Sequence, residues 1–378
     1  MAQLGLSKAK TAKNDEFYTQ YSDIQKEIEG YLEYDSDTFR NKVVYCNADD
    51  PFESNFFRYF VLNFNRLGLK KLITTSYKPS PVANTQLGLF GDDKTLTKTK
   101  GRPKITANKF IINEVHDIDG DGEFNLKDVA IQLKTNKNNE WAPLEDDGDF
   151  RSDECVDLLQ QSDIVVTNPP FSLFREYVKQ LFDYDKKFII LGNLNAITYK
   201  EIFPLLKENK MWLGAGKNDG RNVWYQVPDC YEKFHKEEDG KKYAFVAGTI
   251  WFTNLDHGRR HHQLSLMTQS EVIKFGLKDK FQKYDNYDAI EVPLVKYIPS
   301  DYDGIMGVPI SFLSKHSPEQ FEIIWLACGN TRASAPKEIL KKLKYQKHLE
   351  DRGGCAVKNN ERKYARILIK HKKICEQL

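Results

Sequence analysis

The segment Asp163–Phe171, DIVVTNPPF, places a buried strand directly before a rigid loop, and the predicted fold extends outward from it. Its apolar, β-branched run is typical of a strand covered on both faces, as in a parallel sheet. The prolines then shape the loop, because proline lacks a backbone N–H donor and has a fixed φ. A helix capped by Ser172 is predicted next. Its buried face would carry Phe174, Tyr177, Val178 and Leu181.

The same alternation of strand and helix recurs on both sides of this segment. Further strands are predicted at Lys42–Cys46, Leu69–Thr75, Phe188–Leu191 and Thr249–Asn254. A helix is predicted from Ser54 to Leu67, with Gly68 at its end. This order predicts an α/β fold built on a doubly wound parallel sheet, in which ligands bind at the carboxyl ends of the strands.

The 378-residue length suits two domains. We predict a catalytic domain over residues 1–255, with a polar insertion at 78–146, and a target-recognition region over 256–378. The net charge of +2 conceals charged blocks: residues 113–157 hold 14 acids and four bases, whereas the tail at 336–378 holds 13 bases and five acids. Charge blocks of this kind mark interaction segments.

No signal peptide or membrane-spanning run is visible, and the six cysteines form no CxxC pair. We therefore expect no membrane association and a reducing, cytoplasmic setting.

The Asn168–Phe171 loop has the groups needed to hold a planar amine. The Asn168 amide oxygen and the Pro169 carbonyl can accept two N–H bonds, and the ring of Phe171 offers a stacking surface. An exocyclic base amine is a weak nucleophile, because its lone pair is delocalised into the ring. Accepting both hydrogens moves the nitrogen toward tetrahedral geometry and frees that lone pair. The alternative is a rigid turn with a core phenylalanine.

Several motifs extend beyond this loop. They are KNDEFYTQY at 13–21, KVVYCNADDP at 42–51, GDFRS at 148–152, SDIVVTNPPF at 162–171, KYDNYDAI at 283–290 and GVPISFL at 307–313. With these motifs the chain resembles the EcoRI-type adenine-specific DNA methyltransferases over most of residues 13–325. The resemblance implies a Rossmann-like sheet, S-adenosylmethionine as methyl donor and adenine N6 as acceptor.

The resemblance also implies roles for individual residues. Asn168, Pro169, Pro170 and Phe171 would form the catalytic loop, and Asn168 would also border the cofactor. Phe17, Tyr18 and Thr19 would cover its methionine end, and Asn47, Asp49, Asp50 and Pro51 would form the cofactor loop. Asp149 and Phe150 would hold its adenine. The residue that binds the ribose is left open, since the place after the second strand reads TTSY at 74–77.

A second pattern lies in the insertion. DIDGDGEFNLKD, at 117–128, fits a calcium loop with Gly122 at the sharp turn and Phe124 at the apolar position. Its ligands would be Asp117, Asp119, Asp121, Glu123 and Asp128, holding a structural Ca²⁺. The alternatives are a loop that holds magnesium and an Asp/Gly turn without metal.

Basic segments are candidates for contact with double-stranded DNA. Lys100, Arg102 and Lys104 resemble an AT-hook core, and Arg259 and Arg260 lie in an RRHH cluster. A solvated basic loop or helix face is the alternative for each. A base inside a duplex cannot reach the Asn168–Phe171 loop, so the target adenine would be flipped out.

The sequence therefore predicts a site-specific DNA adenine-N6 methyltransferase serving restriction-modification or DNA protection. We expect a bacterial or phage-encoded monomer, with a cognate restriction endonuclease as a candidate partner. The alternatives are a methyltransferase acting on RNA or on a protein glutamine amide, since NPP[YF] loops serve those reactions too, and a non-catalytic DNA-binding module.

Overall fold

The strand predicted at the centre of the fold is present in a computed structural model. This structure describes residues 19–47, 54–77, 107–118, 120, 124–135, 138–216, 223–227, 234–238, 240–246, 248–277 and 280–372. The chain divides into two units, the first from Met1–Asn193 with Gly214–Leu255 and the second from Leu194–Leu213 with Asp256–Leu378.

The strands of the first unit's main sheet lie in the order β4-β3-β2-β1-β5-β6-β11. Their bounds are β1 Val43–Cys46, β2 Lys71–Thr75, β3 Asn108–Ile112, β4 Glu140–Pro143, β5 Ile164–Thr167, β6 Lys187–Asn193 and β11 Thr249–Thr253. A separate antiparallel sheet contains β8 Val223–Val227, β9 Lys236–Glu238 and β10 Lys241–Val246. The helices of this unit are α1 Tyr21–Leu32, α2 Asn55–Leu62, α3 Phe64–Leu67, α4 Leu126–Thr135, α5 Asp153–Gln161 and α6 Phe174–Asp183.

The main sheet is mixed rather than wholly parallel. The middle strands β2, β1, β5 and β6 are parallel as predicted, whereas β3, β4 and β11 join antiparallel. Two of these antiparallel strands, β3 and β4, lie inside the predicted insertion at 78–146. The insertion therefore contributes to the sheet and is not simply an excursion from it.

The helix after the Asn168–Phe171 loop begins differently from the prediction. Phe171–Leu173 forms a 3₁₀ turn in which the Leu173 N–H donates to the Pro170 carbonyl at 2.9 Å. Leu173 therefore precedes the first residue of α6, and the prediction that Ser172 caps this helix is wrong. The predicted buried face of α6, by contrast, is confirmed at Phe174, Tyr177, Val178 and Leu181.

The predicted Ser54–Leu67 helix is two helices joined at Asn63. Ser54 caps the first by accepting from the backbone N–H groups of Phe56 and Phe57 at 3.1 and 3.2 Å. Gly68 ends the second in the left-handed region, with φ of 62°.

A buried carboxylate on α1 forms hydrogen bonds to the backbone at residues 215 and 216. Glu27 is fully buried and accepts from the backbone N–H groups of Ala215 and Gly216 at 2.8 and 2.6 Å, and from the Tyr31 hydroxyl at 2.8 Å. A Cβ at Gly214 would overlap this carboxylate. The glycine pattern at 214–216 is thus needed for close approach to Glu27.

The second unit contains a four-stranded sheet in the order β12-β13-β17-β14. The strands of the whole unit are β7 Trp212–Leu213, β12 Ala289–Glu291, β13 Ile305–Pro309, β14 Phe321–Ala327, β15 Val357–Lys358, β16 Glu361–Arg362 and β17 Arg366–His371, of which β15 and β16 pair separately. Its helices are α7 Phe203–Lys207, α8 Gln269–Phe275, α9 Thr331–Ser334 and α10 Lys337–Lys342. This unit includes Leu194–Leu213, which the predicted division assigned to the catalytic domain.

The basic tail at 336–378 includes an inner strand of this sheet. β17 lies between β13 and β14, and its residues Ile367, Leu368 and Ile369 are fully buried. The tail therefore helps to build the second unit. No helix in the described ranges is long and apolar enough to cross a membrane.

Candidate active site

The ends of two neighbouring parallel strands bring two predicted site residues together. Asn47 follows β1 and Asn168 follows β5, which pair in parallel. The Thr167 hydroxyl donates to the Asn47 carbonyl, and the Tyr177 hydroxyl donates to the Asn47 side-chain oxygen. Burial raises the pKa of Tyr177, so its hydroxyl stays protonated and can donate.

The predicted catalytic loop is partly enclosed. Pro169 and Pro170 are buried, whereas Asn168 and Phe171 keep partial exposure. Phe171 also packs against the hydrophobic core of the first unit. This core contact fixes the ring beside the end of β5.

A glycine brings the Asp149–Phe150 pair to the end of β2. Gly148 has φ of 77°, and a Cβ there would overlap the carbonyl oxygen of Ser76, one residue beyond β2. Phe150 is buried, with its ring edge-on to Tyr177 at a centroid distance of 5.1 Å. Because Tyr177 also contacts Asn47, the ends of β1, β2 and β5 are joined by one set of contacts.

Asp149 is held by an arginine two residues along the chain. The Nε of Arg151 donates to Oδ1 at 2.9 Å and Nη2 donates to Oδ2 at 2.8 Å. The Asp149 side chain is 17% exposed and that of Arg151 is 50% exposed. The hydrogen bond to Asp149 raises the pKa of Arg151 above its ordinary value. The sequence motif indicates Asp149, whereas Arg151 becomes apparent only through this contact.

Buried hydroxyls surround these strand ends. Among the described residues, Thr19 Oγ1 and Thr74 Oγ1 are buried without a hydrogen-bond partner. The Asn55 amide donates to the Thr19 carbonyl at 2.8 Å, which places Thr19 beside the start of α2. The Ser76 hydroxyl accepts from the Asn108 N–H at 2.8 Å. A ligand with several polar groups would fit this surrounding.

The chain matches known proteins along nearly its whole length. The family model described as "Adenine-specific methyltransferase EcoRI" matches residues 5–372. The chain belongs to this family. It is 43% identical to the Type II methyltransferase M.EcoRI of Escherichia coli, over 98% of this chain and 97% of that protein. It is 33% identical to M.MgeORF184P of Mycoplasma genitalium, over 97% of this chain and 99% of the relative.

M.MpnI of Mycoplasma pneumoniae is also 33% identical, over 97% of this chain and 98% of the relative. No solved structure matches the chain. The family, the Rossmann-like methyltransferase fold and the activity of a Type II DNA adenine methyltransferase are thereby confirmed. The alternatives of RNA, protein glutamine and a non-catalytic module are set aside.

In this methyltransferase the two predicted DNA-binding arginines differ in their surroundings. Arg260 donates to Asp256 at 2.9 Å and to Asn209 at 2.6 Å, and its guanidinium carbon lies 3.6 Å from the ring centre of Trp212. Its side chain is only 10% exposed. Arg259 is half-buried in the same 3₁₀ turn. Arg260 thus has a structural role within the second unit.

Two of the predicted calcium ligands lie in the described residues. Asp128 is fully buried, and its two carboxylate oxygens accept from the N–H groups of Ile118 and Asn125, both at 2.8 Å. Asp117 accepts from the Gly120 N–H at 2.7 Å. Within the described ranges, no group of three His, Cys, Asp or Glu residues could hold a metal. The structure thus gives the predicted Ca²⁺ no support.

Some predicted site residues lie outside the described residues. They are Phe17, Tyr18, Asp49, Asp50, Pro51, Lys100, Arg102, Lys104, Asp119, Asp121 and Glu123.

Proposed function

We propose that this methyltransferase transfers the methyl group of S-adenosylmethionine to the N6 amine of an adenine flipped out of double-stranded DNA. The observation that carries the proposal is the junction of β1 and β5, where Asn47 and Asn168 follow adjacent parallel strands. Donor and acceptor sites on neighbouring strand ends would bring the reacting groups together, which is a large part of catalysis by orientation.

The Asn168–Phe171 loop would act on the adenine amine. Asn168 Oδ1 and the Pro169 carbonyl would accept its two hydrogens, and Phe171 would stack on the base after it leaves the duplex. The two hydrogen bonds would leave the nitrogen lone pair available for attack on the methyl carbon, whose bond to the donor sulfur would break as the nitrogen–carbon bond forms. The methylated nitrogen would then release one proton to solvent, and no covalent bond to the protein is required.

The residues at the strand ends fit an adenosine-bearing donor, which supplies the methyl group when bound. Thr19, Asn47, Asp149 and Phe150 would hold it, with Asp149 accepting from the adenine amine and Phe150 packing on its ring. Phe17, Tyr18, Asp49, Asp50 and Pro51 complete this proposed set. The buried hydroxyls of Thr19 and Thr74 support the fit, because both can form hydrogen bonds to a polar ligand.

The second unit would read the DNA sequence. We assign target recognition to residues 256–378 and phosphate contact to Arg259, Lys100, Arg102 and Lys104, with Arg260 holding the turn that carries Arg259. We also propose that the protein is a monomer in the bacterial cytoplasm and that a restriction endonuclease acts on the same DNA site. Co-purification of the endonuclease activity from the native host would test that pairing.

The structural Ca²⁺ at 117–128 remains a prediction from the sequence pattern. Purified protein melted with excess Ca²⁺ and with chelator should differ in melting temperature if the ion binds. Equal temperatures would argue against it.

Methyl transfer is tested by incubating the protein with labelled S-adenosylmethionine and duplex DNA, RNA or a protein extract. We expect label in DNA, on adenine N6. Asn168→Ala should abolish transfer while donor binding persists, because the amide acts on the acceptor. Ser172→Ala is the matched control, since Ser172 is exposed beside the loop and does not cap α6. Label confined to RNA or protein, or a fully active Asn168→Ala variant, would refute the proposal.

A further inference from the structure

Arg151 connects the loop that carries Asp149 to the helix after the catalytic loop. Two of its nitrogens bind the Asp149 carboxylate side-on, and the third, Nη1, donates to Glu176 Oε2 on α6 at 3.0 Å. Its guanidinium carbon also lies 5.2 Å from the ring centre of Phe150. One side chain therefore contacts both residues of the proposed donor-adenine site and α6.

The same helix supports this loop through two further contacts. Gln180 Nε2 donates to the Phe150 carbonyl at 3.0 Å, and Tyr177 packs edge-on against the Phe150 ring. The Tyr177 hydroxyl reaches Asn47 from the same helix. Since α6 begins three residues after Phe171, it positions the loops that carry Asn47 and Asp149–Phe150 relative to the Asn168–Phe171 loop.

We propose that Arg151 is a positioning residue for the methyl donor: its guanidinium fork fixes the orientation of the Asp149 carboxylate toward the donor's adenine amine. The inference rests on the proposed function, and it assigns Arg151 an effect on ligand specificity. A carboxylate accepts hydrogen bonds and donates none when ionised, so it distinguishes an amine from a carbonyl at the same ring position.

The geometry requires arginine rather than a positive charge alone. A planar guanidinium binds both carboxylate oxygens at once and fixes the plane of the carboxylate. A lysine ammonium is a point charge on a flexible stem, so it neutralises Asp149 without setting that plane. Arg151→Lys should therefore behave like Arg151→Ala in specificity, although it keeps the charge.

The test compares binding of S-adenosylhomocysteine with binding of S-inosylhomocysteine, whose hypoxanthine has a carbonyl in place of the amine. Isothermal titration would give both dissociation constants for the wild type, Asp149→Asn, Arg151→Ala and Arg151→Lys. We expect the wild type to prefer the adenine ligand and Asp149→Asn to lose the preference. The preference is measured as the dissociation constant of S-inosylhomocysteine divided by that of S-adenosylhomocysteine. Each Arg151 variant should lower this ratio about tenfold, as for a charge-assisted hydrogen bond that is no longer aligned.

Lys179→Ala is the matched control, because Lys179 on the same helix forms an exposed ion pair with Asp183. It should keep the wild-type ratio. Melting temperatures would identify a variant that fails to fold, and if Arg151→Ala does so, Arg151→Lys decides the question. If either folded Arg151 variant keeps the wild-type ratio while Asp149→Asn loses the preference, the role of Arg151 is overturned. The proposed donor site would stand in that case. A wild type that binds neither ligand would overturn the donor proposal and, with it, this inference.

Discussion

Gly148 occupies a backbone conformation that suits glycine for two separate reasons. Its φ of 77° is left-handed, and a Cβ would also overlap the Ser76 carbonyl oxygen. The backbone of Gly148→Ala must therefore shift, and the adjacent Asp149 and Phe150 shift with it. We predict a loss of about 1–3 kcal/mol in the free energy of unfolding and weaker binding of S-adenosylhomocysteine.

Gly240→Ala is the control for that substitution. Gly240 has a similar φ of 71°, but a Cβ there has no atom within 4 Å among the described residues. Gly240→Ala should lower the free energy of unfolding only because alanine disfavours a positive φ, and it should leave ligand binding unchanged. Chemical denaturation and titration of both variants would separate the two effects. Unchanged ligand binding in Gly148→Ala would contradict the role given to this close contact.

Two histidines, the buried His257 and the partly buried His316, predict how stability depends on pH. Burial lowers the pKa of both His257 and His316 from 6.5 to about 4. Between these pH values the unfolded chain binds more protons than the folded one, so stability is full above pH 6.5 and falls as the pH drops toward 4. At pH 5 each histidine should cost about 2 kcal/mol. In His316→Gln, the stability difference from wild type should therefore shrink by about that amount between pH 7 and pH 5.

Urea denaturation at both pH values measures this change. Exposed His262→Gln is the control, and its difference from wild type should stay constant. A constant difference for His316→Gln as well would show that this imidazole titrates alike in both states.

At the scale of elements, β17 shows how the basic tail stabilises the second unit. Leu368 is fully buried in a strand that pairs with β13 on one side and β14 on the other. Leu368→Ala removes packing from an inner strand, and we predict a loss of about 2–5 kcal/mol. Leu349→Ala makes the same chemical change at a side chain that is 99% exposed, and should change stability by less than about 0.5 kcal/mol. Equal effects in thermal melts would contradict the packing argument.

The elements also show which parts of the fold the sequence could predict. Short apolar runs such as Val43–Cys46 and Ile164–Thr167 were predictable, because a strand buried on both faces needs apolar residues throughout. The outer strands Asn108–Ile112 and Glu140–Pro143 were missed, because only Phe110 and Ile112 of the first are buried, and the second, at the edge of the sheet, has no buried residue. β17 was missed because its apolar residues lie within a segment dominated by lysine and arginine.

The same limit applies to the site. The proposed role of Asn168–Phe171 follows from the chemistry of a local motif, and that of Asp149–Phe150 follows from the family resemblance. The contact of Tyr177 with Asn47 joins residues 130 positions apart, so it depends on the neighbouring positions of β1 and β5 in the sheet. The contact of Arg151 with Glu176 likewise depends on how α6 packs, which no local pattern specifies.

At the scale of the whole molecule, the net charge of +2 is the sum of acidic and basic segments that nearly cancel. Nine Lys or Arg residues against four Asp or Glu residues lie between 337 and 363, in the unit proposed to read DNA. Two of these lysines already form ion pairs within the protein: Lys342 pairs with Glu322 and Lys344 pairs with Asp288. Lys341 and Lys347 are exposed and are better candidates for phosphate contact.

DNA affinity should therefore depend steeply on salt, and these two lysines should contribute to the dependence. Each phosphate contact adds about 0.9 to the slope of log affinity against log salt concentration, through release of counterions. The double variant Lys341→Gln with Lys347→Gln should lower the slope by up to about 2 and weaken binding to cognate and unrelated duplexes alike. Lys26→Gln, exposed on α1 of the first unit, is the control and should leave the slope unchanged. A wild-type slope in the double variant would place phosphate contact elsewhere on the molecule.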